Sequence, residues 1–447
     1  MLNVPSQLME RDEPIRVGII GAGLFGTKLA DQIERAPGMT TSAIADIETN
    51  KAVQAYQESG VARKEVSIAE DTAELNDTVE RGGRAIVSNG HELARSEVDV
   101  VVEATGIPDA GAHHAYDAIM AENDVVMATV EAETVVGPAL AELADRAGVT
   151  YSMAYGDQPS LIVELYDWAR TIGLDVVAAG KGVSYVDSYR HGTPDDVFDR
   201  FGFDEEYVEA HDLNPRMYNS FSDGTKVAVE MCAVANATGL EPDVQGMHLP
   251  AAEIPEIPGT LCPQEDGGIL NGTGVVDTVS SLHADGSAVD HDIGFGVFVV
   301  TTTPNERVQE YLDAVSGSGL YVANDGKYQL FYRPYHLPGT ETAVSVANAT
   351  IRNEPTGAPK EQTTEVVAAA KKDLEPGDEI DGGGGYTVYG LLEKADAARK
   401  RDHVPFELLE SAVVEATIDQ DEIVTYDDVT LNEDSFIYRL RRVQEFV

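Results

Sequence analysis

The sequence predicts an α/β fold that begins with a doubly wound, mostly parallel sheet. Three observations predict it: an apolar strand that runs directly into a glycine-rich turn, an acidic residue about 20 residues further on, and a sustained alternation of strand and helix patterns. An α+β part and a small β-rich part are expected to follow. We place the three parts at residues 1–170, 171–352 and 353–447.

The first strand and turn lie at residues 15–26. Ile15–Ile20 is apolar without alternation, which is typical of a parallel strand buried on both faces. The run Gly21-Ala22-Gly23-Leu24-Phe25-Gly26 follows at once, and a helical pattern then extends from Thr27 to about Arg35. Strand, turn and helix in this order predict a Rossmann dinucleotide site.

Each glycine of the turn has a physical role in such a site. Gly21 permits the tight turn, Gly23 lets a pyrophosphate approach the backbone, and Gly26 lets the helix pack against the strand. Leu24 and Phe25, in the same turn, are cofactor-binding candidates with the glycines. The free N–H groups and the partial positive charge at the start of the helix would face the phosphates. The alternative is a glycine-rich turn that binds nothing.

Asp46 ends the second apolar run, residues 40–45. A carboxylate at this place can accept a hydrogen bond from the ribose 2′-hydroxyl, and it repels a 2′-phosphate. The predicted cofactor is therefore NAD(P)H, with Asp46 favouring NAD(H).

The charge of the chain excludes several classes of partner. The 447 residues carry 31 Lys+Arg against 78 Asp+Glu, a formal net charge of −47. Nucleic acids and anionic membranes need basic patches, so neither is an expected partner. The chain is 43% hydrophobic and clearly periodic, which argues against disorder. We expect a folded protein with an acidic, hydrated surface suited to a high-salt cytoplasm.

The start of the chain, its apolar runs and its cysteines predict no secretion signal, membrane span, disulfide scaffold or zinc site. The chain opens without the pattern of a signal peptide, and no apolar run approaches the roughly 18 residues of a membrane span. The two cysteines, Cys232 and Cys262, are far apart and do not suggest a disulfide scaffold or a zinc site. We expect a soluble cytoplasmic protein that acts on a small molecule.

The alternation continues after a charged, amphipathic segment at residues 50–90, which we expect to form helices. Strands are predicted at residues 98–102, 125–130 and 149–154, with helices between them. Loops at the carboxyl ends of parallel strands face the ligand. We therefore place the loop residues 131–134 and 156–159 near the nicotinamide, with Thr105, Gly106 and Glu131 as cofactor-binding candidates. Ordinary turn chemistry is an equal alternative for each.

The second part contains two lysines, Lys181 and Lys226, that are candidate catalytic residues. Gly180-Lys181-Gly182 places a lysine at the end of a predicted strand. A long helix is predicted over residues 217–240, and polar residues spaced four, three and four share one of its faces: Asn219, Asp223, Lys226 and Glu230. A solvated face is the alternative. However, Lys226 before Glu230 is the poorer order for a helical ion pair, and basic residues are scarce here.

The third part begins after residues 353–359, a run with two prolines that we interpret as a linker. Short strand patterns and a charged helix near residues 392–401 predict a small β-rich terminal part. The glycine run at residues 382–385 is not followed by Gly-Lys-Ser/Thr, so it does not predict a phosphate loop.

Several stretches together resemble a known family: residues 21–26, 103–108, 130–138, 180–182, 223–240, 333–337 and 372–377. They are similar to oxidoreductases related to 1-deoxy-D-xylulose 5-phosphate reductoisomerase, the DXR-like group, over nearly the whole chain. The resemblance implies a homoserine-dehydrogenase-like NAD(P)-binding domain at residues 1–170. It further implies a catalytic and oligomerisation domain at 171–352, a SAF-like domain at 353–447, and a homo-oligomer.

The activity implied by the resemblance is an NAD(P)H-dependent reduction of a carbonyl, with or without a rearrangement of the carbon skeleton. The implied substrate is a small sugar phosphate or a polyol-derived compound. Two other classes stay open: an amino-acid-pathway dehydrogenase of the homoserine type, and a non-catalytic protein that senses NAD or binds carbohydrate.

Reduction of a carbonyl develops negative charge on oxygen, which needs a proton donor or a cation within reach. We expect Lys226, held by Asp223 and Glu230, to fill this role, with Lys181 as the second candidate. Alternatively, Lys181 forms a salt bridge at the domain boundary. A Mg²⁺ or Mn²⁺ ion would assist a rearrangement, and Asp157, Asp223 and Glu230 offer oxygens, but no spacing identifies metal ligands.

An anionic or polyhydroxylated substrate would be bound by guanidinium, imidazole and amide groups. The substrate-binding candidates are Arg190, His191, Asn219, Asn236, Arg333 and His336.

Overall fold

The computed structural model describes residues 3–211, 213–317 and 319–446. This part of the chain forms two compact units, each assembled from separate stretches of sequence. Unit 1 comprises residues 1–161, 337–360 and 434–447, and unit 2 comprises residues 162–336 and 361–433. Within the ranges described, no helix is both long enough and apolar enough to cross a membrane.

Helices and strands alternate up to residue 153. The strands are β1 (Ile15–Ile20), β2 (Met39–Ala45), β3 (Val66–Ile68), β4 (Arg84–Val87), β5 (Val100–Glu103), β6 (Asp124–Met127) and β7 (Tyr151–Met153). The helices are α1 (Val4–Met9), α2 (Leu24–Arg35), α3 (Thr49–Glu58), α4 (Thr72–Glu80), α5 (Gly90–Ala94), α6 (Pro108–Met120) and α7 (Val130–Ala147).

Seven strands of the described chain form one parallel sheet in unit 1, in the order β3-β4-β2-β1-β5-β6-β7. The central strand β1 has β2 on one side and β5 on the other, and both neighbours run parallel to it. The order of the strands reverses at β1, and open α/β sheets bind their ligands at such a point, beyond the carboxyl ends of the strands. The predicted doubly wound sheet is confirmed.

Two strands of this sheet were not expected from the sequence. Residues 50–90 contain helices, as predicted, but also β3 and β4, which extend the parallel sheet beyond β2. These strands are three and four residues long. A strand of this length is too short to show a periodicity of its own.

The core of unit 1 lies against β1 and the helices that cover it. Ile15, Val17 and Ile19 of β1 are fully buried together with Leu29 and Ile33 of α2. A later helix, residues 343–352, adds buried apolar side chains to the same core. This helix therefore belongs to unit 1 although it lies far from β1 in the sequence, because its apolar side chains are buried in the same core.

The middle of the chain supplies most of unit 2. Its helices are α8 (Gln158–Thr171), α9 (Val197–Phe201), α10 (Glu205–Ala210), α11 (Pro215–Ser222), α12 (Thr225–Thr238), α13 (Ile257–Thr260) and α14 (Glu306–Ala314). Its strands are β8 (Asp175–Val183), β9 (Glu241–Pro242), β10 (Val275–Ser280), β11 (Val297–Thr302), β12 (Tyr321–Ala323) and β13 (Tyr328–Arg333). The first residues of α8 belong to unit 1.

In unit 2, six strands of the part that the structure describes form a mixed sheet in the order β12-β13-β11-β8-β10-β9. β8 pairs parallel with β10 and antiparallel with β11, so it is a central strand. Lys181 lies within β8 and not at a strand end, which corrects the prediction. A Cβ at Gly180 would lie 1.7 Å from the carbonyl oxygen of Asp277, so the adjacent backbone requires glycine beside Lys181.

The predicted long helix over residues 217–240 is wrong, since it is broken into α11 and α12. Gly224 adopts φ +92°, a left-handed conformation that only glycine reaches easily, and it ends the run of helical residues. The carboxylate of Asp223 accepts the N–H of Thr225 at 2.9 Å and stabilises this turn. The four polar residues of the predicted stripe therefore do not share one continuous helical face.

The last part of the chain contributes to both units. It forms α15 (Ala343–Arg352), β14 (Thr364–Ala370), β15 (Val388–Lys394), α16 (Ala395–Lys400), β16 (Val413–Val414), β17 (Val429–Thr430) and α17 (Phe436–Gln444). β14 and β15 pair antiparallel in unit 2. The N–H of Gly390 on β15 donates to the Thr225 hydroxyl of α12 at 2.9 Å.

The segment that we interpreted as a linker is bonded within unit 1. The N–H of Met153 donates to the carbonyl of Gly357 at 2.7 Å, and the Thr356 hydroxyl donates to the carbonyl of Met153 at 2.9 Å. The compact units thus divide the chain at positions other than residues 170 and 352. The division into three consecutive domains stays a prediction.

Candidate functional site

The glycine turn of unit 1 has the geometry that a dinucleotide site requires. Gly21 adopts φ +103°, and a Cβ there would lie 2.6 Å from the carbonyl oxygen of Ala104. A Cβ at Gly26 would lie 1.9 Å from the carbonyl oxygen of Gly21. At Gly23, no heavy atom of the described chain, apart from the adjoining residues, lies within 4 Å of where a Cβ would stand. The space at the start of α2 is therefore open to a pyrophosphate.

The helix begins earlier than predicted, at Leu24, because Gly23 is its N-cap residue. Leu24 is 70% exposed, whereas Phe25 packs against the core of unit 1. Their backbone positions fit the predicted phosphate site, since the first N–H groups of a helix have no intrahelical acceptor.

Asp46 lies beside the glycine turn at the end of β2. One carboxylate oxygen accepts the N–H of Ala22 at 2.8 Å, and the other accepts the N–H of Glu48 at 2.8 Å. The carboxylate is only partly buried. It therefore holds the turn in shape and leaves lone pairs that a ribose hydroxyl could donate to.

Glu103, fully buried at the end of β5, organises the next loop. Its carboxylate accepts the hydroxyl of Thr105 at 2.6 Å and also accepts the hydroxyl of Thr129. The Thr129 hydroxyl in turn accepts the N–H of Gly106 at 3.0 Å. Thr105 and Gly106 are therefore fixed at the carboxyl edge of the sheet, where the sequence predicts the nicotinamide half of the cofactor.

The predicted loop at residues 131–134 is the first turn of α7, because β6 ends at Met127 and α7 begins at Val130. This turn holds a carboxyl group that the sequence analysis missed. Glu133 is 1% exposed, and neither of its oxygens has a hydrogen-bond partner among the residues described. Burial and the charge of Asp157 raise the pKa of Glu133 to about 8. Nothing local distinguishes Glu133 from Glu131 in the sequence.

A second group of ionisable residues lies in unit 2. The ammonium of Lys181 donates to the carboxylate of Glu230, and the two side chains are 8% and 12% exposed. Burial alone would raise the pKa of Glu230, but the charges of Lys181 and Lys226 hold it below its usual value. Lys226 is half-buried and lies one turn before Glu230 on α12.

His336 and Arg333 join this group. The Nδ1 of His336 lies 2.8 Å from the carbonyl oxygen of Phe295. Burial lowers the pKa of His336, on which the charges of Glu230, Lys181 and Arg333 also act. The Arg333 guanidinium lies over the ring of Tyr335, 4.4 Å from its centre. We call these residues the lysine–glutamate cluster: Lys181, Lys226, Glu230, Arg333 and His336.

Asp223 was predicted to hold Lys226, but the structure pairs it with another lysine. Its carboxylate accepts the ammonium of Lys371 at 2.7 Å. Asp223 and Glu230, whose oxygens the sequence offers to a Mg²⁺ or Mn²⁺ ion, are each paired with a buried lysine. A role for a metal ion stays a prediction.

Four predicted substrate-binding residues lie outside the cluster. Asn219 donates to the carbonyl oxygens of Gly192 and Gly384, and Asn236 accepts backbone N–H groups of residues 363 and 364, so both stabilise the fold. Arg190 donates to the Tyr185 hydroxyl, and His191 lies 2.7 Å from the Asp421 carboxylate. Arg190 and His191 line a cavity of about 460 Å³ in unit 2.

Two family models match consecutive stretches of the chain. Residues 21–154 match the homoserine dehydrogenase NAD-binding domain, and residues 156–342 match the catalytic domain of the oxidoreductase DRL. The protein is an NAD-dependent oxidoreductase. The predicted homoserine-dehydrogenase-like NAD-binding domain is thereby confirmed. All members of the lysine–glutamate cluster lie in the stretch of this oxidoreductase that matches the catalytic domain.

Solved structures similar to the oxidoreductase include the apo scyllo-inositol dehydrogenase of Lactobacillus casei. It has a TM-score of 0.40 and 12% identity, over 78% of this chain and 92% of that chain. A putative myo-inositol dehydrogenase of Sinorhizobium meliloti has a TM-score of 0.36 and 13% identity, over 76% and 90%.

An NAD-binding oxidoreductase of Klebsiella pneumoniae has a TM-score of 0.29 and 20% identity, over 40% of this chain. That match spans 45% of the Klebsiella protein, less than half of its length. No curated protein sequence matches the oxidoreductase.

Proposed function

We propose that the protein interconverts a carbonyl and a hydroxyl group on a small anionic or polyhydroxylated substrate, such as a sugar phosphate or a polyol, with NAD(H) as cofactor. One observation carries the proposal: the buried ammonium of Lys181 is paired with Glu230, and Lys226 lies one turn away, inside the stretch matched to a catalytic domain. Burying charged groups costs free energy of folding. Buried ionisable groups with a charged partner are therefore candidates for a functional site.

The lysines act on the oxygen of the substrate. When a carbonyl is reduced, its oxygen gains negative charge and then a proton. We assign the proton to Lys226, which is half-buried and therefore reachable from solvent for reprotonation. Lys181 is held on a central strand by Glu230, so it is positioned to stabilise the same oxygen without moving. In the reverse direction, neutral Lys226 takes the proton of the hydroxyl.

The cluster also suits an anionic substrate group. Lys181, Lys226 and Arg333 bring cations together in a chain with only 31 Lys+Arg and a net charge of −47. The charges of Lys181 and Lys226 act on the carboxylate of Glu230, and those of Lys181 and Arg333 act on His336. A phosphate or carboxylate would therefore be bound by guanidinium and ammonium groups.

The cofactor would be held by unit 1, because the open space beside Gly23 and the carboxylate of Asp46 fit a dinucleotide. Bound NADH supplies the hydride. Asp46 would accept the ribose hydroxyl, and the loop fixed by Glu103 would line the nicotinamide half. A carboxylate at position 46 favours NAD(H) over NADP(H).

A substrate screen tests the proposal. NADH oxidation and NAD⁺ reduction are followed by absorbance in molar KCl with sugar phosphates, free sugars, polyols and homoserine. We expect turnover with a sugar phosphate or polyol, and product analysis shows whether the carbon skeleton is rearranged. Turnover of homoserine alone would assign the protein to the amino-acid class. Cofactor binding without any turnover would favour an NAD sensor.

The role of the cluster is tested on the substrate found. Lys226→Ala should lower kcat by about 10²–10⁴-fold, the usual contribution of a positioned acid, while the Kd for NADH stays unchanged. Lys400→Ala, which removes an exposed lysine of unit 2, is the matched control. Near-normal turnover of Lys226→Ala would refute the assignment.

A further inference from the structure

A cluster of histidines lies in unit 1, apart from the residues to which the proposed function assigns a role. Three of the ten histidines of the chain lie here, and the ring of His91 contacts the rings of His113 and His114. His91, on α5, and His113 and Asp117, on α6, each offer one ligand atom, and these atoms lie within 4.8 Å of one another. We propose that His91, His113 and Asp117 bind a divalent transition-metal ion of the Zn²⁺ class.

The spacing on α6 favours a common ligand. His113 and Asp117 are four residues apart, so they lie one turn apart on the same face of the helix. His91 approaches from α5, with its ring centre 4.3 Å from that of His113. Two side chains from one helix and one from a neighbouring element are a common way to build a metal site on helices.

The distances allow a tetrahedral ion after a small adjustment. Ligand atoms about 2.1 Å from a Zn²⁺ ion in a tetrahedron lie about 3.4 Å from one another. The largest separation here is at most 4.8 Å, and the Nδ1 of His91 already lies 2.8 Å from a carboxylate oxygen of Asp117. Rotations that move the ligand atoms by about 1 Å complete the site, and water fills the remaining position.

The type of ligand selects the type of metal. Imidazole nitrogens with one carboxylate suit Zn²⁺, Co²⁺, Ni²⁺ and Fe²⁺, whereas Mg²⁺ and Ca²⁺ prefer oxygen ligands throughout. The ligand atoms of His91, His113 and Asp117 therefore indicate a metal of the Zn²⁺ class.

The surroundings hold the ligands in place. The ring of Phe436 on α17 stacks on His113 with centres 4.1 Å apart and planes 5° apart. The guanidinium of Arg95 donates to a carboxylate oxygen of the buried Asp117 at 2.7 Å. Supporting contacts of this kind orient the ligands of natural metal sites.

The proposed ion has a structural role that goes beyond the proposed function. It would join α5, which follows β4, to α6, which follows β5. α5 has only five residues, so its own hydrogen bonds stabilise it weakly. A bound ion would therefore fix the short helix to the longer one and raise the stability of unit 1.

Direct metal binding tests the proposal without any enzyme assay. The full-length protein is freed of metal with a chelator, and Co²⁺ and Zn²⁺ are titrated in molar KCl, which screens unspecific attraction to the acidic surface. We expect one equivalent per chain, with the visible absorption of four- or five-coordinate Co²⁺, and a melting temperature that rises with Zn²⁺.

Variants decide whether these three side chains are the ligands. His113→Ala and Asp117→Asn should each weaken Co²⁺ binding at least about tenfold and abolish the Zn²⁺-dependent rise in melting temperature. His283→Ala, at an exposed histidine of unit 2, should bind like the wild type. Far-UV circular dichroism of the metal-free variants verifies that they fold.

Arg95→Ala separates the proposal from its alternative, a metal-free network of ion pairs around Asp117. Arg95 competes for the Asp117 oxygen that also faces His91, so its removal should tighten Co²⁺ binding. Weak, unsaturable binding that is equal in all variants would overturn the proposal, and so would tight binding that survives both ligand substitutions. NADH turnover enters none of these measurements, so a failure here leaves the proposed function untouched.

Discussion

The ammonium of Lys371 donates to the carboxylate of Asp223 at 2.7 Å, and the two side chains are 2% and 0% exposed. The same ammonium donates to the carbonyl oxygens of Gly192 at 2.9 Å and Gly385 at 2.7 Å. All three of its protons are therefore used within unit 2. This pair joins residues 148 positions apart in the sequence, and it connects the residue that follows β14 to the turn between α11 and α12.

Replacing Lys371 should destabilise unit 2 strongly. Lys371→Met leaves the buried carboxylate of Asp223 without its counter-ion, which costs about 3–5 kcal/mol in comparable cases. Urea unfolding in molar KCl, followed by circular dichroism, measures the loss. Lys372→Met, at the exposed neighbouring lysine, should change the free energy of unfolding by less than about 0.5 kcal/mol. A loss below about 1 kcal/mol for Lys371→Met would show that the pair contributes little.

Glu133 should make the stability of unit 1 depend on pH. Its pKa rises from 4.5 to about 8 on folding, so the folded protein binds the proton more tightly than the unfolded chain does. Stability is then fully present below about pH 4.5 and falls as the pH rises towards 8, by up to a few kcal/mol. Thermal unfolding between about pH 4 and about pH 9, which spans both pKa values, measures this fall.

Glu133→Gln should remove that fall, because an amide does not titrate. The variant should be more stable than the wild type at the alkaline end of the range. Asp145→Asn, at an exposed position of the same helix, serves as the control. Parallel stability curves for Glu133→Gln and the wild type would mean that Glu133 does not titrate in this range.

The dinucleotide-binding turn could be predicted because all the residues that indicate it lie close together in the sequence. Residues 15–46 carry the strand, the turn and the acidic residue within one stretch, and the structure brings Gly21, Gly23 and Asp46 together as expected. The break at Gly224 was also readable, since Asp-Gly favours a turn over a helix. The apolar spacing on both sides outweighed that signal in the prediction.

The pairing of charges was not predictable, because it depends on residues distant in sequence. Lys181 and Glu230 are 49 positions apart, and nothing in either neighbourhood specifies the other. Lys226 and Glu230 were identified by their spacing on one helix, but Asp223 could not be assigned to Lys371 without the tertiary structure. Glu133 lacks a local signal, since its raised pKa results from burial in the folded chain and from the charge of Asp157.

Asp46 should determine the choice of cofactor. Its carboxylate repels a 2′-phosphate, so the wild type should prefer NADH to NADPH in kcat/KM. Asp46→Asn removes the charge but keeps an oxygen that can accept the N–H of Ala22. The variant should shift the ratio of NADPH to NADH use at least about tenfold towards NADPH, equivalent to about 1.4 kcal/mol.

The control for this shift is Glu48→Gln, which removes the same charge two residues away, from a side chain paired with Lys51. It should leave the cofactor preference unchanged. A wild-type preference for NADPH, or an equal shift in both variants, would contradict the role given to Asp46.

The acidic surface should make the protein dependent on salt. With a net charge of −47, like charges repel one another in the folded state, and the unfolded chain relieves part of this repulsion by spreading it over a larger volume. Raising the ionic strength from 0.1 M to 1 M shortens the Debye length from about 10 Å to about 3 Å and screens that repulsion. The melting temperature should therefore rise steeply with KCl over this range, and NaCl at equal ionic strength should act alike because screening depends on charge alone. A melting temperature that is undiminished in dilute buffer would show that the repulsion is already offset within the folded chain.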